Sequence, residues 1–143
     1  MYHNPVLLNE SISGLNINPS GIYVDVTYGG GGHSQEILKN LNSKGKLIAF
    51  DQDQDAIENK SNDSRLNLVK SNFKYLNNFL NYFKINEIDG LLADFGISSH
   101  QIDNKDRGFS TRFNSKLDMR MNSTQKIDAK VIVNDYDKDQ LEY

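Results

Sequence analysis

Between Val24 and Ser34 the chain reads Val-Asp-Val-Thr-Tyr-Gly-Gly-Gly-Gly-His-Ser, and two carboxylates, Asp51 and Asp53, follow about one strand-helix-strand step later. Glycines carry no Cβ, so a ligand can come close to the backbone N–H groups where the loop opens a helix. A carboxylate ending the next strand accepts hydrogen bonds from a ribose diol. The pattern therefore points to a bound nucleoside, with Asp51 on the ribose and Asp53 as a helix cap. A dinucleotide site usually reads Gly-x-Gly-x-x-Gly, whereas His33-Ser34 closes this run. That spacing disfavours an NAD-dependent oxidoreductase and leaves it as the alternative reading.

Other residues of chemical interest follow. His33 sits where a helix N-terminus disfavours its protonated form, so cofactor contact suits it better than acid–base work. Phe73 is in phase with Leu76 and Leu80, as a core residue would be, and its place just after a strand also suits stacking on an adenine. Asp94, in Asp94-Phe95-Gly96-Ile97-Ser98-Ser99, ends a further strand beside the crevice where open α/β sheets bind ligands, loop capping being its other use. The arginines of Arg107-Gly108-Phe109-Ser110 and Leu117-Asp118-Met119-Arg120-Met121 read either as phosphate clamps or as solvated loop charges.

These residues need a frame. Strands are expected at 22–26, 46–50, 66–69 and 88–94, the second apolar almost throughout, as a strand buried on both faces must be. Helices are expected from Ser34, as cap, to about Leu41, at 53–59, and at 73–83 on the stripe Phe73, Leu76, Phe79, Leu80 and Phe83. Such alternation gives a mostly parallel sheet with right-handed crossovers. From Gly96 to Asn122 periodic apolar positions are scarce and a long functional loop is expected, with a helix beginning after Lys126.

The chain has 143 residues, 37% of them hydrophobic and 24% charged, enough for one ordinary domain and not the profile of a disordered chain. A net charge of −3 gives no general attraction for nucleic acid, so any such binding needs a local basic patch or another part of a larger protein. Cysteine is absent, which excludes disulfides and thiolate zinc sites, and no metal site is expected. Met1-Tyr2-His3-Asn4 is not the start of a signal peptide and no apolar run is long enough to span a membrane, so the expectation is a soluble cytoplasmic protein.

Taken together, the motifs resemble a known family. They are His3-x-Pro5-Val6-Leu7-Leu8-x-Glu10, Asp25-x-Thr27-x-Gly29-x-Gly31-Gly32-His33-Ser34, Asp51-x-Asp53, Asp94-x-Gly96-x-Ser98-Ser99-x-Gln101-x-Asp103, and the two arginine segments. In this order and spacing the chain is similar to the bacterial small-subunit rRNA (cytosine-N4)-methyltransferases, the MraW family. Phe95 departs from the leucine usual there.

The resemblance implies an α/β class I methyltransferase with a Rossmann-like parallel sheet, strands ordered 3-2-1-4, the C-terminal strands being absent. It implies S-adenosylmethionine (SAM) as cofactor and small-subunit rRNA, or the small ribosomal subunit, as partner. Carried over by motif, Gly31, Gly32 and His33 contact the cofactor, Asp51 its ribose and Phe73 its adenine. Asp94 and Gln101 complete the pocket, and Asp94 is also the candidate catalytic residue. Members are considerably longer, with a helical substrate domain inserted after the fourth strand. Residues 1–103 are accordingly expected to form a partial cofactor-binding core, and 104–143 a long loop and the start of that insertion. A non-catalytic or split half that acts with a partner is the other reading.

Overall fold

A computed structural model describes residues 5–142; His3 of the N-terminal motif, with Met1, Tyr2, Asn4 and Tyr143, lies outside the described residues. Two compact units divide the chain, one running to Phe95 and one starting at Gly96.

The first unit is built on four parallel strands, β1 (Ile22–Asp25), β2 (Lys46–Asp51), β3 (Leu66–Lys70) and β4 (Gly90–Leu92), in the order β3-β2-β1-β4. This is the expected arrangement. Its helices are α1 (Leu8–Leu15), α2 (Gly32–Asn40), α3 (Gln54–Glu58) and α4 (Leu76–Tyr82). Side chains alternate across a strand, and β2 shows the result. Leu47 and Ala49 join Tyr23, Ile37, Leu38 and Leu41 in one apolar cluster, with Ile12 and Leu15 of α1 against it. Ile48 and Phe50 join Val24 and Val26 in another, covered by Leu76, Phe79 and Leu80 of α4. Both faces are covered, which is why β2 tolerates no polar residue between Leu47 and Phe50.

Several boundaries differ from the sequence expectation for local reasons. Helix α1 is an addition to it; the stripe of Leu8, Ile12 and Leu15 spans barely two turns. Helix α2 starts at Gly32 behind a left-handed Gly31 (φ 77°), so Ser34 lies inside it and is not its cap. Strand β4 is shorter than 88–94. Ahead of it, Asp89 turns its carboxylate to the Ile22 N–H (2.7 Å), and beyond it the Asp94 N–H donates to the Thr27 hydroxyl (2.8 Å). The stripe from Phe73 begins as a 3-10 turn, Phe73–Tyr75, capped by the Asn72 side chain before α4 starts.

In the second unit the expected long loop contains a short helix, α5 (Ser99–Asp103), and a 3-10 turn, Lys105–Arg107. Two helices follow, α6 (Ala129–Asp135) and α7 (Lys138–Leu141), capped by Asp128 and Asp137. Among the described residues no helix is long and apolar enough to cross a membrane.

Phe50 is wholly buried and meets Phe79 edge-on, ring centroids 5.6 Å apart. We expect Phe50→Ala to cost about 3–5 kcal/mol, measured by urea denaturation followed by circular dichroism. A loss below about 1 kcal/mol would show that α4 collapses into the hole.

Candidate functional site

The site grows from the carboxyl end of β1. Asp25 is completely buried there, so its carboxylate needs donors from the protein. The Thr27 N–H donates to Oδ1 (3.0 Å) and the Ser34 hydroxyl to Oδ2 (2.7 Å). Burial pushes the Asp25 carboxyl above its ordinary value, and those two hydrogen bonds oppose the shift. One side chain thereby ties the end of β1 to both the start of the loop and the first turn of α2. Asp25 stands in the sequence motif with no role assigned to it. The signal for one is an acid inside the apolar run Ile22-Tyr23-Val24-Asp25-Val26, with hydroxyl donors two and nine residues on.

The glycine loop is shaped largely from within the chain. At Gly31 a Cβ would come 2.8 Å from the hydroxyl oxygen of buried Tyr28, and at Gly32 it would come 2.2 Å from Cγ of Pro5. Tyr28 is locked in turn: its hydroxyl donates to the Asn59 carbonyl and accepts from the Ser61 N–H, both at 3.2 Å. At these two glycines the missing Cβ therefore admits the protein's own side chains, where the sequence pattern suggests a ligand. Gly29 (φ 51°) is different, because among the described residues, its chain neighbours aside, only the Thr27 carbonyl comes within 4 Å of its Cβ position.

Gly29 also meets the ribose candidate. Its N–H donates to Asp51 Oδ2 at 2.8 Å, and the Asp53 N–H donates to Oδ1 at 2.9 Å. An ionised carboxylate has about four acceptor positions, so Asp51 keeps capacity for further donors. Burial raises the Asp51 carboxyl above its ordinary value, with the Asp53 charge adding to the effect and the N–H donors opposing it. Asp53 caps α3 through the Asp55 N–H, as expected.

His33 is buried, with Nε2 3.1 Å from the Val6 carbonyl. A carbonyl only accepts, so the Nε2 nitrogen carries the proton and Nδ1 faces Asp94 Oδ2 at 4.0 Å. The imidazole thus pins the segment after Pro5 to the start of α2 and borders Asp94. The Asp94 carboxylate is half exposed, while its backbone is held by the Thr27 hydroxyl. Phe73 follows β3, its ring centroid 5.5 Å from that of Phe95. The chain of contacts Asp51–Gly29, Thr27–Asp94 and Asp94–His33 gathers these residues at one end of the sheet.

Gln101 belongs to the second unit, where its side-chain amide is used at both ends. Its Oε1 accepts from the Ser98 N–H (2.9 Å) in a capping box, and Nε2 contacts Met121 Sδ at 3.3 Å. The arginines there serve the scaffold. Arg107 donates to the carbonyls of Arg120 and Met121, and Arg120 grips Asp118 through a two-pronged pair at 2.8 and 2.6 Å. The Arg120 guanidinium holds the Asp118 carboxyl below its usual range. The Asp118 and Leu117 carbonyls accept from the N–H groups of Ala129 and Lys130 at the start of α6. Neither arginine is a simple solvated charge. Among the described residues no group of three or more acids and histidines is arranged to hold a metal ion.

Sheet order, a glycine loop after β1 and a carboxylate ending β2 place the chain among the Rossmann-like α/β proteins. Its sequence matches the MraW methylase family over residues 1–143, and the chain belongs to that family. It is 59% identical over 140 residues to the ribosomal RNA small subunit methyltransferase H of Christiangramia forsetii, covering 98% of this chain and 46% of the relative. The protein of the same name from Phocaeicola vulgatus is 56% identical over 141 residues, covering 99% and 46%, and that from Flavobacterium johnsoniae is 54% identical over 140, covering 98% and 46%. The chain thus spans about half the length of the curated relatives it matches.

The buried Asp25 gives a pH prediction. A carboxyl whose folded pKa is raised costs stability when ionised, and that cost is relieved as pH falls through the folded value toward the ordinary 3.8. Asn has no proton to gain. The stability difference between the parent chain and Asp25→Asn should therefore move in the parent's favour as pH is lowered from about 7 toward 4. Denaturant titrations across that range measure it, and a difference independent of pH would show that Asp25 titrates normally.

Proposed function

We propose that this protein is the cofactor-binding part of a SAM-dependent methyltransferase acting on N4 of a cytosine in small-subunit ribosomal RNA. The observation that carries the reading is Asp51. Its carboxylate is braced by the Gly29 and Asp53 N–H groups with acceptor capacity to spare, in a chain of the MraW methylase family. Such an acceptor suits a vicinal diol. The relatives' names supply the RNA substrate.

When bound, SAM supplies an electrophilic methyl group on its sulfonium. The chain's own share is positioning. Gly31, Gly32 and His33 line the loop beside the cofactor, Asp51 accepts from the ribose hydroxyls, and Phe73 lies by the adenine. Asp94 serves the methionine side. A cytosine amino group is a poor nucleophile because its lone pair is delocalised into the ring. Asp94, accepting a hydrogen bond from that amino group, localises the pair and stabilises the developing positive charge. The base has to leave its stack to reach the carboxylate.

Calorimetric titration is the first test. We expect saturable binding of SAM, none of NAD, and an affinity lowered about ten-fold or more in Asp51→Ala, as expected for losing hydrogen bonds to a charged group. A folded chain that takes up no SAM sinks the proposal. For Asp94→Asn, assayed with the RNA substrate, we expect the methyl-transfer rate to fall far more than SAM affinity. A variant that only binds SAM weakly would move Asp94 to the cofactor.

A further inference from the structure

In a chain whose 19 acids outnumber its 16 lysines and arginines, the stretch from Ser64 to Asn86 carries Arg65, Lys70, Lys74 and Lys84 and no acid. Arg65 is engaged by Asp63 and the Leu41 carbonyl, and Lys70 reaches the Gln54 side chain. Lys74 and Lys84 are exposed, and among the described residues neither forms an ion pair.

These two lysines bracket α4. Leu76, Phe79, Leu80 and Phe83 pack toward the sheet, so the other side of the helix is turned outward. It carries Asn78, Asn81 and Tyr82, all exposed, with Tyr75 one residue ahead of the helix. Tyr82 is 78% exposed and Tyr75 48%. Their spacing is two helical turns, which sets both rings on one side, roughly 10 Å apart along the axis. Lys74 Nζ lies 4.9 Å from the centroid of the Tyr75 ring, and Phe83 braces Tyr82 edge-on with centroids 5.3 Å apart.

The composition of this face selects its partner. Among the described residues from 64 to 86 every exposed large apolar side chain is aromatic, whereas a protein or lipid contact would draw on aliphatic ones as well. Flat rings, amides and unpaired cations suit the faces, edges and phosphates of unpaired nucleotides. The position fits too. The turn Phe73–Tyr75 follows β3 at the end of the sheet where Asp51 and Asp94 lie, so the face starts at the rim of the site. A chain of net charge −3 binds nucleic acid only through such a local patch.

We propose that the outer face of α4, with Tyr75, Tyr82, Lys74 and Lys84, is a track for single-stranded RNA beside the target base. The inference rests on the RNA-methyltransferase reading given above and deepens it, giving the RNA a surface within this part of the protein.

The probe is a fluorescein-labelled single-stranded RNA of mixed sequence, about 12 nucleotides long, followed by anisotropy. We expect it to bind the parent chain and to bind its own duplex form less tightly presented, because paired bases keep their faces to each other. Tyr82→Ala should weaken binding about ten-fold, adding Tyr75→Ala should weaken it further, and Tyr82→Phe should keep it within about two-fold. Lys74→Ala and Lys84→Ala should each lower the slope of log affinity against log salt by about 0.7. Lys39→Ala on α2, where the lysine pairs with Glu36, should leave that slope unchanged. Circular dichroism confirms that each variant is folded, and its SAM affinity should equal the parent's.

RNA binding that survives both alanine changes overturns the assignment, as does a duplex that binds as tightly as the single strand. A parent chain that takes up no RNA overturns it equally, while SAM titration decides the methyltransferase reading separately. Self-association of the parent that Tyr82→Ala abolishes, with RNA binding intact, assigns the face to a second copy of the chain instead.

Discussion

A single buried carboxylate organises the end of the sheet on which everything else is placed. Asp25 lies where β1 must stop and the loop must turn, and it has no contact with water. Leaving it unpaired would cost several kcal/mol. Hydrogen bonds to a charged acceptor are worth about 1.5–3 kcal/mol each, so the Thr27 N–H and Ser34 hydroxyl offset part of that cost, and the remainder is what raises the carboxyl above its ordinary value. The geometry follows from the need to supply those donors. Thr27 has to fold back over Asp25, and Ser34 has to lie in the first turn of α2 facing β1. The Thr27 hydroxyl is then in place to receive the Asp94 N–H from the neighbouring strand. Two strand ends are thus held by one small network.

Around that network the glycines are best understood as places where the chain packs against itself. Tyr28 and Pro5 occupy the space that side chains at 31 and 32 would need, and the His33–Val6 contact clamps the same segment. Gly29 is open by comparison, and its N–H is given to Asp51. Rigidity of the loop and orientation of Asp51 are consequently one property. A carboxylate whose two oxygens are each held by a backbone donor is already oriented before any ligand arrives, which is what a preorganised site requires.

The second unit shows how charge can be structural in a polar segment. Arg107 donates to the carbonyls of Arg120 and Met121 and Arg120 to that of Gln125, and Asp118 answers Arg120 through both oxygens. Met119 is held in a left-handed conformation (φ 56°) between them, its N–H given to the Arg107 carbonyl. Among the described residues neither buried apolar cluster includes a residue of this unit, and hydrogen bonds to arginine tie its segments together.

Much was legible in the amino-acid sequence, because some constraints are local. An unbroken apolar run marks β2, the 3.6-residue stripe marks α4, and a run of glycines between strand and helix marks a special backbone. Those patterns, read with the family resemblance, were enough for the strand order. They also singled out Asp51, His33 and Asp94, which the structure brings to one end of the sheet. What they could not supply was partnership between distant residues. Nothing local says that Pro5 fills the space beside Gly32, that Asp94 hangs from Thr27, or that Phe73 and Phe95 meet from opposite edges of the sheet. Likewise Ser34 has the chemistry of a helix cap, and only the burial of Asp25 converts it into a donor within the helix. Residue type sets what a side chain can do, whereas burial and the three-dimensional approach of strands decide which partner it must do it with.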